Sequence, residues 1–213
     1  MKLFLAPSLA LVTLCGSANA ALVASFHSDD TPPFGSPAPV EPHDYADHLT
    51  VSSLLSQGSV SRVNGEFEYR NWDTAMNPDD FIGFSVSTEN GYQMTLTDFD
   101  FSSVVTSGSV GAFRWGYRVD NGSGFGTWIF GTTYSSGDAG FGSGVKEWDF
   151  ADFTVTGTVQ FALFAQAPDG AGGVFLSVPG GNLTLNGSVA PVPEPSSLFL
   201  AALGGLALVR RRR

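Results

Sequence analysis

Paired carboxylates are the commonest grouping in this sequence that could do chemistry. Two carboxylates held about 5–10 Å apart can hydrolyse a glycosidic bond, and carboxylate oxygens can also bind structural Ca²⁺. None of the pairs has the spacing of a calcium-binding loop, and acidic residues are abundant, with 20 in 213 residues, so turn formation and solubility account for them. We therefore predict no cofactor and no metal site, with structural Ca²⁺ as the alternative. The pairs are Asp79 and Asp80, Asp98 and Asp100, and Asp149 and Asp152.

A second grouping places histidines among carboxylates near the N-terminal end of the chain. His43 and Asp47 would share one face of a helix, as would Asp44 and His48, and such pairs can bind a divalent metal. The segment is loop-like and follows Pro42, so solvated charge is the favoured interpretation. No histidine follows His48, and no serine stands in a Gly-x-Ser-x-Gly elbow with a later histidine. The sequence therefore predicts a protein that is not an enzyme.

Aromatic side chains near arginines form a third grouping, suited to binding sugars by stacking and hydrogen bonding. Trp128 follows the Gly-rich segment 122–126 and is the better exposed aromatic candidate, although burial in a core is the favoured interpretation even there. Arg114 and Arg118 are its candidate partners for sugar hydroxyls or carboxylates. The further aromatic candidates are Trp72, Trp115 and Tyr134.

The elements that must position these residues have the pattern of β-strands joined by turns. Residues 113–119 alternate between large apolar side chains and Arg or Gly. One face of that strand, including Trp115, is therefore predicted to be buried, and the other to be solvated and basic. Asp120-Asn121-Gly122 then supplies a tight turn. The apolar positions shift parity between Leu96 and Phe99, which indicates a bulge near Asp98.

Short alternating segments dominate from about residue 49 onward, and no stretch of a dozen residues keeps a 3.6-residue apolar period. Gly and Phe are frequent, with 26 and 18 copies, as expected for short strands joined by tight turns. The predicted fold class is all-β: an antiparallel β-sandwich or jelly-roll-like domain over residues 49–190, after an extended Pro- and Asp-rich lead-in over 21–48. An N-terminal signal helix and a short C-terminal hydrophobic helix are predicted to flank it.

The charge balance restricts the partners of this domain. Residues 21–191 contain five basic and 19 acidic side chains, a balance of −14. Such a field repels nucleic acid and anionic lipid, because both carry negative charge. Nucleic acid is therefore excluded as a partner.

Residues 1–20 have the three parts of a secretory signal peptide. Lys2 supplies the positive start, residues 3–14 the apolar stretch, and Ala18-Asn19-Ala20 the small-x-small cleavage site. Cys15 raises the alternative of a lipid anchor, but Leu14 precedes it where that signal needs a small residue. Cleavage at the small-x-small site would remove the only cysteine, which excludes disulfides and thiol catalysis from the mature protein.

The C-terminal segment, residues 191–213, combines a Pro-rich hinge, a short apolar stretch and an arginine tail. The 14 residues 196–209 are uncharged and would span about 21 Å as a helix, against about 30 Å for a bilayer core. Such an anchor is short, and the arginines after it would hold this end on the cytoplasmic side. The hinge is Val192, Pro193, Glu194 and Pro195, and the tail is Arg210, Arg211, Arg212 and Arg213.

This arrangement resembles the PEP-CTERM sorting signal in the order and spacing of its Pro-Glu-Pro, Ser pair, Gly-containing apolar stretch and Arg cluster. The resemblance implies that an exosortase, a membrane protease-transpeptidase, cleaves near Pro193-Glu194-Pro195. It also implies export, a transient inner-membrane anchor, and delivery to the cell surface or exopolysaccharide matrix of a Gram-negative bacterium. An ordinary tail anchor with a Pro-rich stalk is the alternative, but the Glu between two prolines has no role in one.

Segments 71–92 and 182–187 also resemble the cargo domain common in PEP-CTERM proteins. Together these features predict an exported, non-enzymatic cell-surface or extracellular-matrix protein. Its expected partners are the exosortase, the export machinery and, transiently, the inner membrane. A carbohydrate-binding module acting on extracellular polysaccharide is the first alternative, and a secreted hydrolase is the second.

Overall fold

The computed structural model of the chain describes residues 21–27, 39–62, 68–102, 104–105, 110–120, 122–136, 145–167, 174–175 and 182–193. Every regular element in these ranges is a β-strand, and the strands pair antiparallel. The all-β antiparallel class predicted from the sequence is therefore confirmed. The predicted signal helix in 1–20 and hydrophobic helix in 196–209 lie outside the described residues.

Sixteen strands occur in the described ranges and are numbered in chain order. They form sheets of five, seven and four strands. The strands are β1 (Ala21–His27), β2 (Asp44–Tyr45), β3 (Leu49–Val51), β4 (Leu55–Gln57), β5 (Ser61–Arg62), β6 (Glu68–Arg70), β7 (Phe81–Thr88), β8 (Tyr92–Ser102), β9 (Val104–Val105), β10 (Ala112–Val119), β11 (Ile129–Phe130), β12 (Tyr134–Ser135), β13 (Val145–Val155), β14 (Thr158–Gln166), β15 (Val174–Phe175) and β16 (Asn182–Pro191).

The five-stranded sheet has the order β13-β8-β16-β1-β2. β1 lies inside it, with His27 opposite Asn182 of β16, and its Val23 and Phe26 side chains are buried. β1 and β2, which fall within the lead-in assigned to residues 21–48, therefore belong to this sheet. The sequence concealed β1 since residues 23–26 are all buried, so the strand lacks the alternation that marks a half-exposed strand.

The seven-stranded sheet has the order β11-β10-β14-β7-β3, with β12 also pairing with β10 and β4 with β7. β10 and β14 pair along their whole length, from Ala112 opposite Gln166 to Val119 opposite Val159. The four-stranded sheet has the order β5-β6-β15-β9. β10, β14 and β7 therefore form a continuous central surface of the larger sheet.

An aromatic-rich core lies between the five-stranded and seven-stranded sheets. Phe26 of β1 lies 4.8 Å from Phe84 of β7 between ring centroids, and Phe99 of β8 lies 4.7 Å from Trp115 of β10. Each such ring pair adds about 0.5–1.5 kcal/mol beyond the burial of its area. These contacts hold the two sheets together and leave each sheet with one outer face. Trp115 is buried, as predicted.

β8 carries the bulge predicted near Asp98. Leu96 pairs with Gly187 and Asp98 with Asn186 on β16, so β8 has one extra residue at this point. A Cβ on Gly187 would collide with the Thr95 carbonyl oxygen, and only glycine therefore permits this approach of the two backbones. The bulge returns the apolar residues after Asp98 to the core face.

Candidate binding face and C-terminal motif

The outer face of the seven-stranded sheet, opposite the core, has a row of three residues with little or no side chain. Gly116 of β10 lies opposite Ala162 of β14, and Ala162 lies opposite Gly83 of β7. Most flanking positions on the same strands carry large side chains, such as Arg118 and Phe164, so the row forms a shallow trough across the sheet. We call the outer surface of β7, β10 and β14 the trough face.

Two aromatic side chains from residues 128–130 cover part of the trough. Trp128 packs edge-on against Phe81 and Phe164, with ring centroids 5.5 and 4.9 Å away. Phe130 lies over Gly116, where an added Cβ would come within 2.8 Å of the Phe130 ring. Gly116 is therefore required for the packing of Phe130. Trp128 packs against a second, smaller apolar cluster outside the core, which includes Phe81 and Phe164.

Both arginines of the candidate site lie against these aromatic rings. The Arg114 guanidinium carbon is 3.6 Å from the centroid of Phe130, and that of Arg118 is 4.4 Å from Trp128 and 4.7 Å from Phe125. Cation–π contacts of this kind contribute about 0.5–2 kcal/mol each. The structure thus brings Trp128, Arg114 and Arg118 onto one face, as the sugar-binding alternative requires.

This packing covers part of a face that the sequence pattern predicted to be solvated. The outer side of β10 is covered by aromatic side chains and is not simply solvated, since Gly116 on it is buried. Trp128 is half-buried and has the Arg118 guanidinium against its ring. Trp128 therefore positions Arg118 instead of presenting an open platform for stacking. The guanidinium N–H groups are the stronger candidates for ligand contact.

The two arginines differ in their hydrogen bonds but share the lack of an ion pair. Arg118 Nε donates to Gln160 Oε1 at 2.7 Å, while Arg114 Nε is buried without a hydrogen-bond partner. Neither guanidinium lies within ion-pair distance of a carboxylate in the described ranges. Burial lowers the pKa of Arg118, and the charge of Asp79 acts in the opposite direction.

A cavity of about 300 Å³ opens at the β7 end of the trough. Its apolar lining includes Leu55, which is 54% exposed, and Phe81, which is shared with the outer apolar cluster. Gln160, which accepts the hydrogen bond from Arg118, also lines it. The cavity therefore lies one side chain away from that guanidinium. Its polar lining residues are Ser52, Ser56, Gln57, Ser85 and Gln160.

The predicted Asp79–Asp80 pair has a structural use just before β7. Asp80 is buried and accepts hydrogen bonds from the Ser59 N–H at 2.7 Å and from Asn77 Nδ2 at 3.1 Å. Burial acts to raise the pKa of Asp80, but the hydrogen bonds with Ser59, Asp73 and Asn77 together outweigh it, so the net pKa lies below its usual value. Asp80 therefore fixes the start of β7 beside Phe81.

The other predicted carboxylate pairs lie on the five-stranded sheet. Asp98 of β8 is opposite Asp149 of β13, and Asn186 of β16 donates to Asp98 at 2.6 Å. Burial, together with the charge of Asp98, raises the pKa of Asp100. Asp152 lies where the pairing of β13 is irregular. Within the ranges that the structure describes, no group of three or more His, Cys, Asp or Glu side chains could hold a metal ion.

The histidine segment does not form the helix on which the metal alternative depended. It contains the short strand β2 and a turn, and His43 stacks on His27 with ring centroids 3.7 Å apart. His48 stacks on Tyr92 at the same distance, and its Nδ1 lies 3.1 Å from Glu89 Oε2. These contacts stand in place of the helical face on which the metal alternative relied.

Sequence reasoning missed the aromatic residues that complete the trough face. Phe81 and Phe164 occupy outward positions of β7 and β14 and are nonetheless buried, because Trp128 packs against them. The signal was present in the unbroken apolar run of residues 161–165, which is typical of a strand covered on both faces. The other aromatic candidates, Trp72 and Tyr134, pack in or against the core.

The C-terminal motif begins where β16 ends. Pro191 lies opposite Tyr92, the Val192 N–H donates to the Gly91 carbonyl oxygen at 2.8 Å, and Pro193 is exposed. The motif therefore follows the sheet without a linker. In the described part of the chain, no helix is long and apolar enough to cross a membrane. The predicted signal residues outside that part are Ala18, Ala20, Glu194, Pro195, Arg210, Arg211, Arg212 and Arg213.

Comparison with known proteins identifies this segment. Residues 191–213 match the family model of the PEP-CTERM protein-sorting motif. The match covers the hinge, the apolar stretch and the arginine tail together. A comparison with curated proteins gave no match. The resemblance noted in the sequence is thus confirmed, and the chain carries a PEP-CTERM protein-sorting motif at its C-terminal end.

Proposed function

We propose that this protein is exported, is cut by an exosortase at its C-terminal motif, and acts without enzymatic activity at the cell surface or in the extracellular matrix of a Gram-negative bacterium. The observation that carries the proposal is the match of residues 191–213 to the PEP-CTERM motif. The position of the motif supports it. Val192 is still tied to the sheet by a hydrogen bond while Pro193 is exposed, so cleavage beyond Pro193 leaves the paired strands intact.

Each step of this route follows from the chemistry of a segment. The signal peptide directs export, and residues 196–209 hold the tail in the inner membrane while the four arginines keep its end cytoplasmic. Cleavage near Pro193-Glu194-Pro195 separates this anchor from the domain, which is released or passed to a carrier. A β-sandwich suits such cargo, because its core lies between its own sheets and needs no contribution from the tail.

Sequencing both ends of the protein by mass spectrometry, after purification from the surface and medium of its host, tests the route. We expect a chain that starts at Ala21 and lacks everything beyond residues 192–195. Glu194→Gln removes the charge between the prolines and should leave an uncut, membrane-bound chain. Asp149→Asn, the same charge change on the sheet, should be processed normally. Recovery of the wild-type chain with residues 198–213 intact and membrane-bound would refute exosortase processing.

The absence of enzymatic activity is part of the proposal and has its own test. It is supported by the structural use of Asp80, whose carboxylate oxygens accept hydrogen bonds from Ser59 and Asn77. A panel of glycans and esters incubated with the purified protein should show no turnover above a heat-denatured sample. Reproducible turnover that Asp98→Asn abolishes would establish a hydrolase instead.

A second function is favoured by the trough face. Its aromatic side chains, its two guanidiniums without a carboxylate partner and the adjacent cavity provide the apolar and polar contacts by which proteins bind sugars. We propose that the exported domain binds extracellular polysaccharide, a role compatible with the first. Affinity gel electrophoresis in gels that contain polysaccharide from the host measures it. Unchanged mobility in every such gel would refute this second function and leave the sorting route untouched.

A further inference from the structure

The trough face concentrates positive charge on a protein that is otherwise acidic. The chain has ten basic residues against 20 acidic ones, yet Arg114 and Arg118 both stand on this face. They are four residues apart on one strand, which separates them by about 13 Å at 3.3 Å per residue. Neither contacts a carboxylate in the described ranges, although the charge of Asp79 acts on Arg118 from a greater distance, so both guanidiniums remain able to pair with an acidic ligand.

The cavity beside these cations supplies groups that match a sugar ring. Its volume of about 300 Å³ is at the small end of the range for ligand sites. Hydroxyl and amide groups of Ser56, Gln57 and Gln160 can exchange hydrogen bonds with ring hydroxyls. Leu55, which is 54% exposed, adds an apolar surface for the ring carbons. Gln160 uses Oε1 to hold Arg118, which leaves its amide N–H groups for a ligand.

We propose that this cavity binds a uronic acid residue of an acidic polysaccharide, with the sugar ring in the cavity and its carboxylate on the Arg118 guanidinium. The inference rests on the proposed polysaccharide-binding function and names its ligand class. Gln160 occupies Nε of Arg118, so the two terminal NH₂ groups take the carboxylate oxygens in a paired geometry. Arg114, farther along β10, contacts a carboxylate on another residue of the same polymer.

A uronate fits this face better than a neutral sugar or a densely charged polymer. A neutral sugar leaves the half-buried Arg114 guanidinium without a carboxylate contact in the described ranges and Arg118 with only the more distant charge of Asp79, which is unfavourable once the ligand displaces their water. Duplex nucleic acid carries one negative charge per about 1.7 Å, and a heavily sulfated polymer carries more than one charge per ring. The exported domain, with a charge balance of −14 over residues 21–191, repels both more strongly than a polymer with one carboxylate per ring. A uronate polymer carries one carboxylate per ring, which can pair with an arginine while the repulsion between the polymer and the acidic protein stays small.

Affinity gel electrophoresis of the mature protein, purified from its host, tests the ligand class. Native gels contain polygalacturonate, its fully methyl-esterified form or dextran sulfate, and retardation over a range of polymer concentrations gives an apparent Kd. We expect polygalacturonate to retard the protein and the other two polymers to have little effect. Arg118→Gln should weaken binding of polygalacturonate about 10- to 100-fold, as loss of a charge-assisted hydrogen-bonded pair does.

Two further variants separate recognition from charge and from misfolding. Arg118→Lys keeps the charge but loses the planar fork of donors, so it should also weaken binding. This milder variant carries the test if Arg118→Gln does not fold. Thr154→Ala, an exposed position on the five-stranded sheet, should bind as the wild type does. The urea unfolding midpoint of each variant is measured on the same preparation.

The outcomes distinguish this inference from the function on which it rests. Equal retardation by polygalacturonate and by its methyl ester, unchanged in Arg118→Gln, would overturn the uronate assignment and leave polysaccharide binding standing. Retardation by dextran sulfate equal to that by polygalacturonate would overturn it in favour of general anion binding. No retardation in any gel, including those with host polysaccharide, would overturn both proposals.

Discussion

The two outer faces of this protein are built from similar alternating strands but differ in what covers them. On the five-stranded sheet the outward positions carry short polar or acidic side chains, such as Asp98, Asp100 and Thr154, which remain open or half-open to solvent. On the seven-stranded sheet Trp128 and Phe130 cover the outward positions. The comparison teaches that the alternation of a strand does not by itself decide how its outer side is used.

Residues 122–136 produce the covered face. The segment leaves β10 at Asp120, whose Oδ1 accepts hydrogen bonds from the N–H groups of Gly122 and Gly124 at 2.8 and 3.1 Å. It then returns to pair with the same strand as β11 and β12. The return places two aromatic side chains over the small residues of the trough. A turn with glycine freedom is therefore what converts an ordinary outer face into a candidate binding face.

Removing the cover should cause the largest loss of stability. Trp128→Ala deletes the side chain that packs on Phe81 and Phe164 and leaves a cavity. Because Trp128 is half-buried, we expect the free energy of unfolding to fall by about 2–3 kcal/mol, less than for a fully buried tryptophan. Urea unfolding measures this loss. Thr154→Ala, on the outer face of the five-stranded sheet, loses an exposed hydrogen bond with the Thr95 hydroxyl and should lower the same quantity by at most about 1 kcal/mol. Equal losses in the two variants would abolish the distinction between the faces.

Substitution of Asp80, which fixes the start of β7, should lower the free energy of unfolding somewhat less than Trp128→Ala does. Asp80→Asn replaces the acceptor of the Ser59 and Asn77 hydrogen bonds, so we expect a loss of about 1–2 kcal/mol near neutral pH. The pKa of Asp80 is lowered on folding. Its ionised form therefore stabilises the fold above the ordinary value of 3.8, and this contribution is lost as pH falls through the lowered pKa. The difference in the free energy of unfolding between wild type and Asp80→Asn should therefore be smaller in acid than at neutral pH.

Asp79→Asn is the matched control for that prediction. It makes the same charge change one residue earlier, and the Asp79 N–H, not its carboxylate, is in the hydrogen bond to Asn77. Unfolding of both variants is followed by circular dichroism from pH 7 down to pH 3. A loss in Asp79→Asn as large as in Asp80→Asn would attribute the effect to net charge instead of to the hydrogen bonds.

Crowding the trough should have a smaller effect and should act on only one face. Gly116→Ala places a Cβ within 2.8 Å of the Phe130 ring, so the ring must shift away from Arg114, at a cost of about 1 kcal/mol. Gly126→Ala meets only the Val119 carbonyl oxygen at 3.6 Å and serves as the control. Urea unfolding compares the two variants. Equal stability would mean that Phe130 does not pack on Gly116 in solution.

The smallest expected effect is an increase in stability, from a substitution on the outer face of the five-stranded sheet. Burial and the charge of Asp98 raise the pKa of Asp100 on folding. The contribution of Asp100 to stability is therefore full below 3.8 and is lost as pH rises through the raised pKa. Asp100→Asn stays neutral and should be more stable than wild type at pH 7, by less than about 1 kcal/mol. Thermal unfolding at pH 3 and pH 7 should show this gain only at pH 7.

The features that could be predicted from the amino-acid sequence are those that depend on local chemistry. The alternation in residues 113–119 predicted the buried side of β10, the parity shift around Asp98 predicted the bulge, and the last residues predicted the sorting motif. Each of these signals is carried by residues close together in the chain. The side chains of a strand alternate between its two faces, so a buried face and a bulge are visible in a few neighbouring residues. A sorting signal is recognised as a short stretch of sequence, so it is visible there directly.

The pairing of strands, and the side chains that cover their outer faces, could be seen only in the tertiary structure. β1 belongs to the five-stranded sheet because it pairs with β16, more than 150 residues later in the chain. The trough face exists because Gly116, Ala162 and Gly83 fall opposite one another on three separate strands and a returning segment covers one end of their row. Such registers arise from packing between distant residues, and no local pattern encodes them.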